Sequence, residues 1–168
     1  KLTYEKVYKQ GYNINTPINL KLQNVATESL RNGLIAYDRR KGWRGPITNL
    51  KYSKNWSKNL DKKYRLENSI GWETAIVKQI NQFDTKIEID DKTEGIIKYK
   101  DISWTKKDFK DLFKIGDVIY VKKLNKKFYS LQQLPNINGG MVIMDPYTGR
   151  VLAISGGFSF KNSEFNRA

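Results

Sequence analysis

Five short runs in which apolar and polar residues alternate constrain the fold of this chain more than any other feature. Alternation with a period of two residues is typical of a β-strand that has one buried face. Between the third and fourth runs, Phe109, Leu112 and Phe113 have the i, i+3, i+4 spacing of a short helix. Strands and a helix in this order predict an OB barrel, a small closed β-sheet. The five runs cover residues 72–80, 85–90, 94–99, 118–122 and 128–132.

One long helix is expected ahead of these strands. Apolar residues recur at helical spacing from Leu22 to Tyr37. Thr16 followed by Pro17 forms a good helix start, because Thr caps the first turn and Pro fits the first helical position. Glycines and a proline follow soon after and end the pattern. The sequence therefore predicts a helix over residues 17–39.

The stretch between this helix and the first strand has a different composition. Apolar residues are sparse over residues 48–69 and lysines recur there without a clear period, so we predict a basic linker or insertion. The whole chain has 31 Lys and Arg against 17 Asp and Glu, a net charge of +14. Of these cations 24 are Lys and 7 are Arg, the residue that makes bidentate phosphate contacts. Lys, Asn and Ile share A/T-rich codons, so genome composition is our first explanation of the positive charge. We therefore use the charge only as a guide to the kind of partner.

Missing residue types exclude most familiar catalytic machinery. The chain has no Cys and no His, which excludes disulfides, zinc–cysteine sites, thiol nucleophiles and a Ser-His-Asp triad. No cofactor or metal is expected, because the acidic residues of 84–94 lack EF-hand spacing and a strand would point Glu88 and Asp90 to one solvent face. Ser103 and Lys106 match an S-x-x-K motif, but about one chance match is expected in so Lys-rich a chain, so we interpret Ser103 as an exposed loop serine. No run approaches the ~18 apolar residues of a membrane span.

The last part of the chain predicts a β-hairpin. Gly139 and Gly140 mark a joint, and residues 141–144 form an apolar strand. The sequence Asp-Pro-Tyr-Thr-Gly at 145–149 is a strong turn, and residues 150–155 form the return strand. Because a single hairpin is at best marginally stable, we expect it to belong to a larger sheet whose remainder lies past the end of this chain.

Two stretches of the sequence resemble class A penicillin-binding proteins. The last stretch of this chain resembles the opening of their transpeptidase domain; it reads GGMVIMDPYTGRVLAISGGFSFKNSEFNRA. It contains a DP-x-TG hairpin, a double glycine and a closing FNRA. An earlier stretch of this chain resembles the segment that follows their glycosyltransferase domain, especially in the 1A type; it reads LQNVATESLRNGLIAYDRRKGWRGP. The family also carries an OB-like insertion between these two stretches, where the strand pattern predicts a barrel. The residues that match the transpeptidase motif are Asp145, Pro146, Gly149, Gly156, Gly157, Phe165, Asn166 and Arg167.

The resemblance implies a mainly β segment with one N-terminal helix from a bifunctional cell-wall enzyme. In that family one domain polymerises glycan strands, and another cross-links stem peptides through an acyl-serine that penicillins also acylate. The glycosyltransferase glutamates would precede Lys1 and the serine would follow FNRA by about ten residues, so this segment would hold no catalytic residue. The parent enzyme would work on the periplasmic face of the bacterial inner membrane, with its anchor outside this segment. The implied parts are a post-glycosyltransferase linker strand and helix at 1–47, the basic linker or insertion at 48–69, the OB-like barrel at 70–135 and the start of an incomplete transpeptidase domain at 136–168.

The role that the resemblance implies is a non-catalytic spacer with a possible docking surface. A charged cluster at the predicted helix end supplies the candidate interdomain or docking residues. Asp38 could pair with a neighbouring Arg while Trp43 packs against the helix end, or the cluster could face a partner. The implied partners are the flanking glycosyltransferase and transpeptidase domains, a regulatory lipoprotein or other cell-wall synthesis protein, and peptidoglycan. The candidate residues are Asp38, Arg39, Arg40, Trp43 and Arg44.

Other functions stay open at this point. An independent OB-type module that binds single-stranded nucleic acid would explain the charge and the barrel, but it leaves the terminal motifs unexplained. Attraction of residues 51–65 to anionic lipid would suit a linker close to a membrane. An enzymatic function would require acylation of this chain by a β-lactam, which we do not expect. The aromatic residues that could stack on bases, or more simply fill the core, are Tyr99, Trp104, Tyr120, Phe128 and Tyr129.

Overall fold

A computed structural model describes residues 15–53, 55–159 and 167–168, together with Lys9. In this part of the chain a long helix is followed by a barrel and then by a separate hairpin. The helices are α1 Leu20–Arg39 and α2 Phe109–Leu112. The strands are β1 Thr48–Asn49, β2 Glu73–Ile80, β3 Asp84–Ile89, β4 Thr93–Lys98, β5 Asp117–Lys123, β6 Phe128–Gln132, β7 Met141–Met144 and β8 Val151–Ser155.

The strands from β2 to β6 close into the barrel that the sequence predicts. β2 lies between β3 and β5, β3 pairs with β4, and β6 joins β4 to β5. The β4–β6 pair is parallel and the others are antiparallel, which is the closure of an OB barrel. The predicted fold class, mainly β with one helix at the N-terminal end, is therefore confirmed. Outside the barrel, β1 adds a short antiparallel pair to β5, and β7 pairs with β8 alone.

The barrel interior is filled by side chains from alternate strand positions. Ile87 of β3 and Ile97 of β4 are fully buried, and the ring of Tyr129 on β6 lies among them with 1% of its surface exposed. Gly95 on β4 makes room for that ring. A Cβ added at Gly95 would lie 2.6 Å from the Cδ2 and Cε2 atoms of Tyr129 and 3.2 Å from Cγ1 of Ile87. The closed packing of the barrel therefore depends on a missing side chain at this position.

Replacing Gly95 by alanine should destabilise the barrel. Because the added methyl group overlaps the buried ring, we expect the free energy of unfolding to fall by about 1–3 kcal/mol, measured by urea unfolding. Gly33→Ala is the matched control, since a Cβ at this mid-helix position has no heavy atom within 4 Å. There alanine should stabilise the chain by roughly 0.5–1 kcal/mol through its helix propensity. Equal effects of the two substitutions would contradict the tight packing at Gly95.

Helix α1 begins later than the sequence predicts, and it ends where predicted. Oδ1 of Asn19 accepts hydrogen bonds from the backbone N–H groups of Lys21 (3.0 Å) and Leu22 (3.2 Å), so Asn19 is the N-cap. The backbone N–H of Asn19 donates to the carbonyl oxygen of Leu152 on β8 at 2.8 Å. This bond holds Asn19 in an extended conformation. Thr16 and Pro17 therefore lie outside the helix, although alone they form a good helix start.

Residues 48–69, predicted as a basic linker or insertion, run along the outer surface of the barrel. Trp56 is fully buried and Leu60 is 5% exposed, and both pack against Ile76 and Val118. The Ser57 backbone N–H donates to Oδ1 of Asp91 at 3.1 Å, and its hydroxyl donates to Oδ2 of the same carboxylate. The lysines that the structure describes in this stretch face solvent while its apolar residues anchor it, so a basic surface lies at a defined place on the barrel.

The prediction that Glu88 faces solvent is wrong. Its side chain is buried because Tyr52, from the stretch that covers the barrel, donates its hydroxyl to Oε2 of Glu88 at 2.9 Å. Nζ of Lys78 lies 2.9 Å from Oε2 of Glu88 and 2.7 Å from Oε1 of Glu94. These two carboxylates raise the pKa of Lys78 above its ordinary value. Lys78 thus forms ion pairs with both Glu88 and Glu94 within the fold.

Helix α1 also packs against the terminal hairpin. The side-chain amide of Gln23 donates to the carbonyl oxygen of Ile154 at 2.8 Å, and its oxygen accepts from the N–H of Ile154 at 3.0 Å. The amide thereby bonds to the free edge of β8 as a neighbouring strand would. Leu30 and Leu34 of the helix share an apolar cluster with Trp72, at the start of the barrel, and Phe158, after the hairpin. One face of the helix therefore contacts both the barrel and the hairpin.

Candidate functional site

The carboxylate of Asp38 joins the end of helix α1 to the chain that leaves the barrel. Asp38 is 2% exposed, and its oxygens accept hydrogen bonds from Nη1 of Arg44 at 2.8 and 2.9 Å. They also accept from the side-chain amide of Gln133 at 2.8 Å and from the backbone N–H of Asn136 at 3.0 Å. Arg44 adds a bond from Nη2 to the carbonyl oxygen of Leu134. A buried carboxylate with this many donors fixes the relative position of the two segments.

Arg39 and Trp43, which follow Asp38 in the sequence, both pack against Trp104. The guanidinium carbon of Arg39 lies 5.0 Å from the ring centroid of Trp104, which meets Trp43 edge-on at 5.9 Å. Nη2 of Arg39 donates to the carbonyl oxygen of Leu131 (3.3 Å) and to Oε1 of Gln132 (3.0 Å). Burial lowers the pKa of Arg39 below its ordinary value. Trp43 thus packs between the helix end and the turn after β4.

Arg40 lies apart from these contacts. Its side chain is exposed, with its guanidinium carbon 4.9 Å above the ring of Tyr37. The candidate cluster therefore divides in two: Asp38, Arg39, Trp43 and Arg44 contact other segments of the chain, whereas Arg40 lies over Tyr37 of its own helix. The contacts of the first four residues join separate parts of this chain.

The turn of the terminal hairpin has the structure that its motif predicts. Oδ1 of Asp145 accepts from the N–H of Tyr147 at 2.9 Å, and Oδ2 accepts from the hydroxyl of Thr148 at 2.6 Å. These hydrogen bonds lower the pKa of Asp145. Pro146 occupies the turn position that its fixed φ favours, and Gly149 has φ of +69°, a left-handed conformation in which glycine is unstrained. The matching residues of the hairpin are therefore turn-forming residues.

The glycines that flank the hairpin allow close approach of backbones. The N–H of Arg167 donates to the carbonyl oxygen of Gly156 at 3.2 Å. A Cβ at Gly140 would lie 2.7 Å from the carbonyl oxygen of Arg167, and one at Gly157 would lie 3.1 Å from Oδ1 of Asn138. The chain therefore returns across the base of the hairpin where side chains would collide. Two further residues of the motif, Phe165 and Asn166, lie outside the described residues.

Arg31 is the residue of this region that sequence reasoning missed. Its Nε donates to the carbonyl oxygen of Phe158 at 2.9 Å, and its Nη1 donates to the carbonyl oxygen of Ser69 at 2.7 Å. The same guanidinium lies 5.9 Å from the ring centroid of Phe158. Arg31 thus connects the helix to the approach to the barrel and to the end of the hairpin. The one signal in the sequence is its position beside Leu30, at the border of the apolar stripe.

The aromatic residues that could stack on nucleic-acid bases do not form one surface. Tyr129 is inside the barrel, and Trp104 packs against Trp43. The hydroxyl of Tyr120 donates to the carbonyl oxygen of Tyr64 at 3.0 Å, and burial raises the pKa of Tyr120 to about 12. Tyr99 packs edge-on against Phe109, and Phe128 lies under Lys98. The residues fill cores and pair with neighbours, which leaves the nucleic-acid alternative without a platform.

Ser103 has the surroundings of an ordinary loop residue. Its hydroxyl donates to the carbonyl oxygen of Lys100 at 3.0 Å, and its carbonyl oxygen accepts from the backbone N–H of Lys106 at 3.1 Å. Among the described residues, no cluster of acidic side chains is arranged to hold a metal ion. Within the same ranges, no helix combines the length and apolarity that crossing a bilayer requires.

Comparison with known proteins agrees with this architecture. The family model described as the penicillin-binding protein OB-like domain matches residues 43–137, which include the whole barrel. The chain therefore belongs to the penicillin-binding proteins that carry this domain. The prediction from the terminal motifs, a segment of the 1A type, is confirmed by the similarity of this chain to penicillin-binding proteins 1A.

Several bacterial relatives are similar over almost the whole chain. Penicillin-binding protein 1A of Rickettsia prowazekii is 36% identical over 166 residues, which cover 97% of this chain and 21% of the relative. Penicillin-binding protein 1A of Pseudomonas aeruginosa is 30% identical over 177 residues, with the same two shares. The crystal structure of penicillin-binding protein 1A from Haemophilus influenzae superimposes with a TM-score of 0.78 at 26% identity, covering 98% of this chain and 26% of that one. The chain thus spans about a fifth of the length of the curated relatives it matches.

Replacing Asp38 by asparagine should loosen the joint between α1 and the barrel. Asparagine keeps the size of the side chain, but in either orientation its amide group turns a donor toward Arg44 and toward Asn136 or Gln133, which all need an acceptor. We expect the free energy of unfolding to fall by about 3 kcal/mol. This value is at the low end of the range for breaking a buried ion pair, because Arg44 is partly exposed. Urea unfolding measures the loss, with Arg40→Gln as the control that should change it by less than about 0.5 kcal/mol. Similar small effects for both substitutions would contradict the structural importance of Asp38.

Proposed function

We propose that this segment is a non-catalytic spacer in a bifunctional peptidoglycan synthase of the 1A type. It would hold the start of the transpeptidase domain at a fixed position relative to the OB-like barrel and to the glycosyltransferase domain that precedes it. In this proposal the segment keeps the division predicted from the sequence, with parts at 1–47, 48–69, 70–135 and 136–168. The parent enzyme would polymerise glycan strands and cross-link their peptides on the periplasmic face of the inner membrane.

The contacts of helix α1 support this proposal. Its C-terminal end bonds through Asp38 to the chain that leaves the barrel, and its N-terminal half bonds through Gln23 to β8. Between these points Arg31 bonds to both sides. A helix of 20 residues is about 30 Å long and resists bending, so ties along its length transmit position from one end to the other. A spacer requires such rigidity.

The outer face of the hairpin supports the assignment of a domain entry. Val142, Met144 and Ile154 are exposed, and they alternate with residues that face helix α1. A two-stranded sheet with apolar residues on both faces is not stable in water by itself. We therefore propose that the remainder of a transpeptidase domain covers this face. A regulatory lipoprotein or peptidoglycan would then have to bind elsewhere, on the barrel side of the segment.

A labelled penicillin tests the absence of catalysis in this segment. We expect no covalent labelling of the 168-residue chain, since Ser103 donates to a carbonyl oxygen and, in the part of the chain that the structure describes, no base contacts its hydroxyl. The full-length parent protein, incubated in parallel, should be labelled at a serine outside this segment. Denaturing gels with fluorescence detection measure both. Stoichiometric labelling of the segment would refute the non-catalytic role.

Replacing Arg31 by glutamine in the full-length protein tests the spacer role. The substitution removes three hydrogen bonds between the helix and its neighbours, which should weaken their association by roughly 1 kcal/mol. We therefore expect the ratio of cross-linked to total glycan product to fall about two- to fivefold. Penicillin labelling should persist, which shows that the transpeptidase domain is folded. Lys21→Gln removes one charge from an exposed position of the same helix and should leave the ratio unchanged. Unchanged cross-linking in Arg31→Gln would argue against positional coupling.

A further inference from the structure

A concavity lies where the C-terminal end of helix α1 meets the turn after β4. It has a volume of about 430 Å³, and the residues that line it include four cationic residues and Trp104. Among the described residues, no carboxylate lines it. We call this feature the cationic concavity. Its cationic residues are Arg39, Arg40, Lys41 and Lys106.

The positive charges of the cationic concavity are not neutralised by the fold. In the described ranges, none of the four residues makes an ion pair with a carboxylate. Arg39 donates only to neutral acceptors, the carbonyl oxygen of Leu131 and the amide oxygen of Gln132. The end of helix α1 contributes about half a negative charge, which leaves most of the four positive charges uncompensated. The site therefore attracts anions.

Two of the residues that line this concavity, Arg39 and Trp104, carry buried hydrogen-bond donors without an acceptor. Nε of Arg39 and the indole Nε1 of Trp104 are both buried and have no hydrogen-bond partner among the described residues. The indole Nε1 of Trp43, whose ring meets that of Trp104 at 5.9 Å, is a third such donor. A buried donor left without an acceptor carries an unrecovered desolvation cost. A ligand that brings acceptor oxygens would recover part of this cost after a small movement of the side chains.

We propose that the cationic concavity binds the carboxylate of an acidic peptide. A guanidinium group binds a carboxylate through two parallel hydrogen bonds, and lysines add charge without fixed geometry. Trp104, whose ring lies under the Arg39 guanidinium, adds apolar surface to the lining for the aliphatic part of the ligand. The volume lies in the range of small-molecule sites, ~300–1,000 Å³, and is larger than a bare inorganic anion needs. This inference concerns a ligand and stands independently of the spacer role.

Nuclear magnetic resonance of the ¹⁵N-labelled chain tests this proposal directly. The four tryptophans give four indole N–H signals, so the response of each one can be followed separately. On titration with the dipeptide N-acetyl-Ala-Glu, we expect the signals of Trp104 and Trp43 to shift and saturate. Those of Trp56 and Trp72 should stay in place, because these residues lie in other clusters. The uncharged analogue N-acetyl-Ala-Gln-amide should produce no saturable shift, and equal shifts from both peptides would overturn the proposal.

Paired substitutions separate a site from general attraction to a basic protein. Lys41→Gln with Lys106→Asn removes two charges from exposed positions, and asparagine tolerates the φ of +57° at residue 106. We expect this pair to weaken dipeptide binding about fivefold. Lys58→Gln with Lys62→Gln removes the same charge from the basic stretch on the barrel and should leave binding unchanged. Equal weakening by both pairs would overturn the proposal, and so would a shift of the Trp104 signal by inorganic phosphate at lower concentration than by the dipeptide.

Discussion

The hydrogen bonds of the Asp38 carboxylate set the arrangement of the whole segment. Burying a carboxylate is costly unless donors surround it, and here the donors come from two distant parts of the chain. Arg44 follows the helix, whereas Gln133 and Asn136 follow the last barrel strand. The desolvation cost of the carboxylate is offset only when donors from both parts reach its oxygens. The interaction therefore selects one geometry, which a purely apolar contact would not do. The barrel and helix α1 therefore have one preferred relative position.

Helix α1 extends this constraint to the hairpin. Its apolar side packs into the cluster that contains Trp72 and Phe158, and its polar groups bond to the edge of β8. Apolar contacts supply most of the packing energy but tolerate sliding, whereas directed bonds do not. Gln23 and Arg31 are such directed contacts. The helix is therefore the common wall against which both the barrel and the hairpin are positioned.

The strands, the barrel and the hairpin turn could be predicted from the sequence because their signals are local. Period-two alternation marks a strand, and Asp-Pro-x-x-Gly marks a turn, whatever the rest of the chain does. The start of α1 could not be predicted, since Asn19 is selected as N-cap by a bond to Leu152, far along the chain. Nor could the packing of residues 48–69, because two buried anchors, Trp56 and Leu60, are hidden among lysines. Asp38 and Arg44 stood out as a charged cluster, but their partner Gln133 is 95 residues from Asp38 in sequence.

The arginines and the lysines of this chain contribute its positive charge in different surroundings. Arg31, Arg39 and Arg44 bond to backbone carbonyl oxygens where separate segments meet. A planar guanidinium group with five donors can satisfy a carbonyl oxygen and a second acceptor at once, which the point charge of lysine cannot do. The lysines, by contrast, are mostly exposed. Codon composition therefore explains the lysines better than the arginines, and the net charge alone is a poor guide to partners. What distinguishes a binding surface in such a chain is a local group of cations whose charge and donors the fold leaves unmatched.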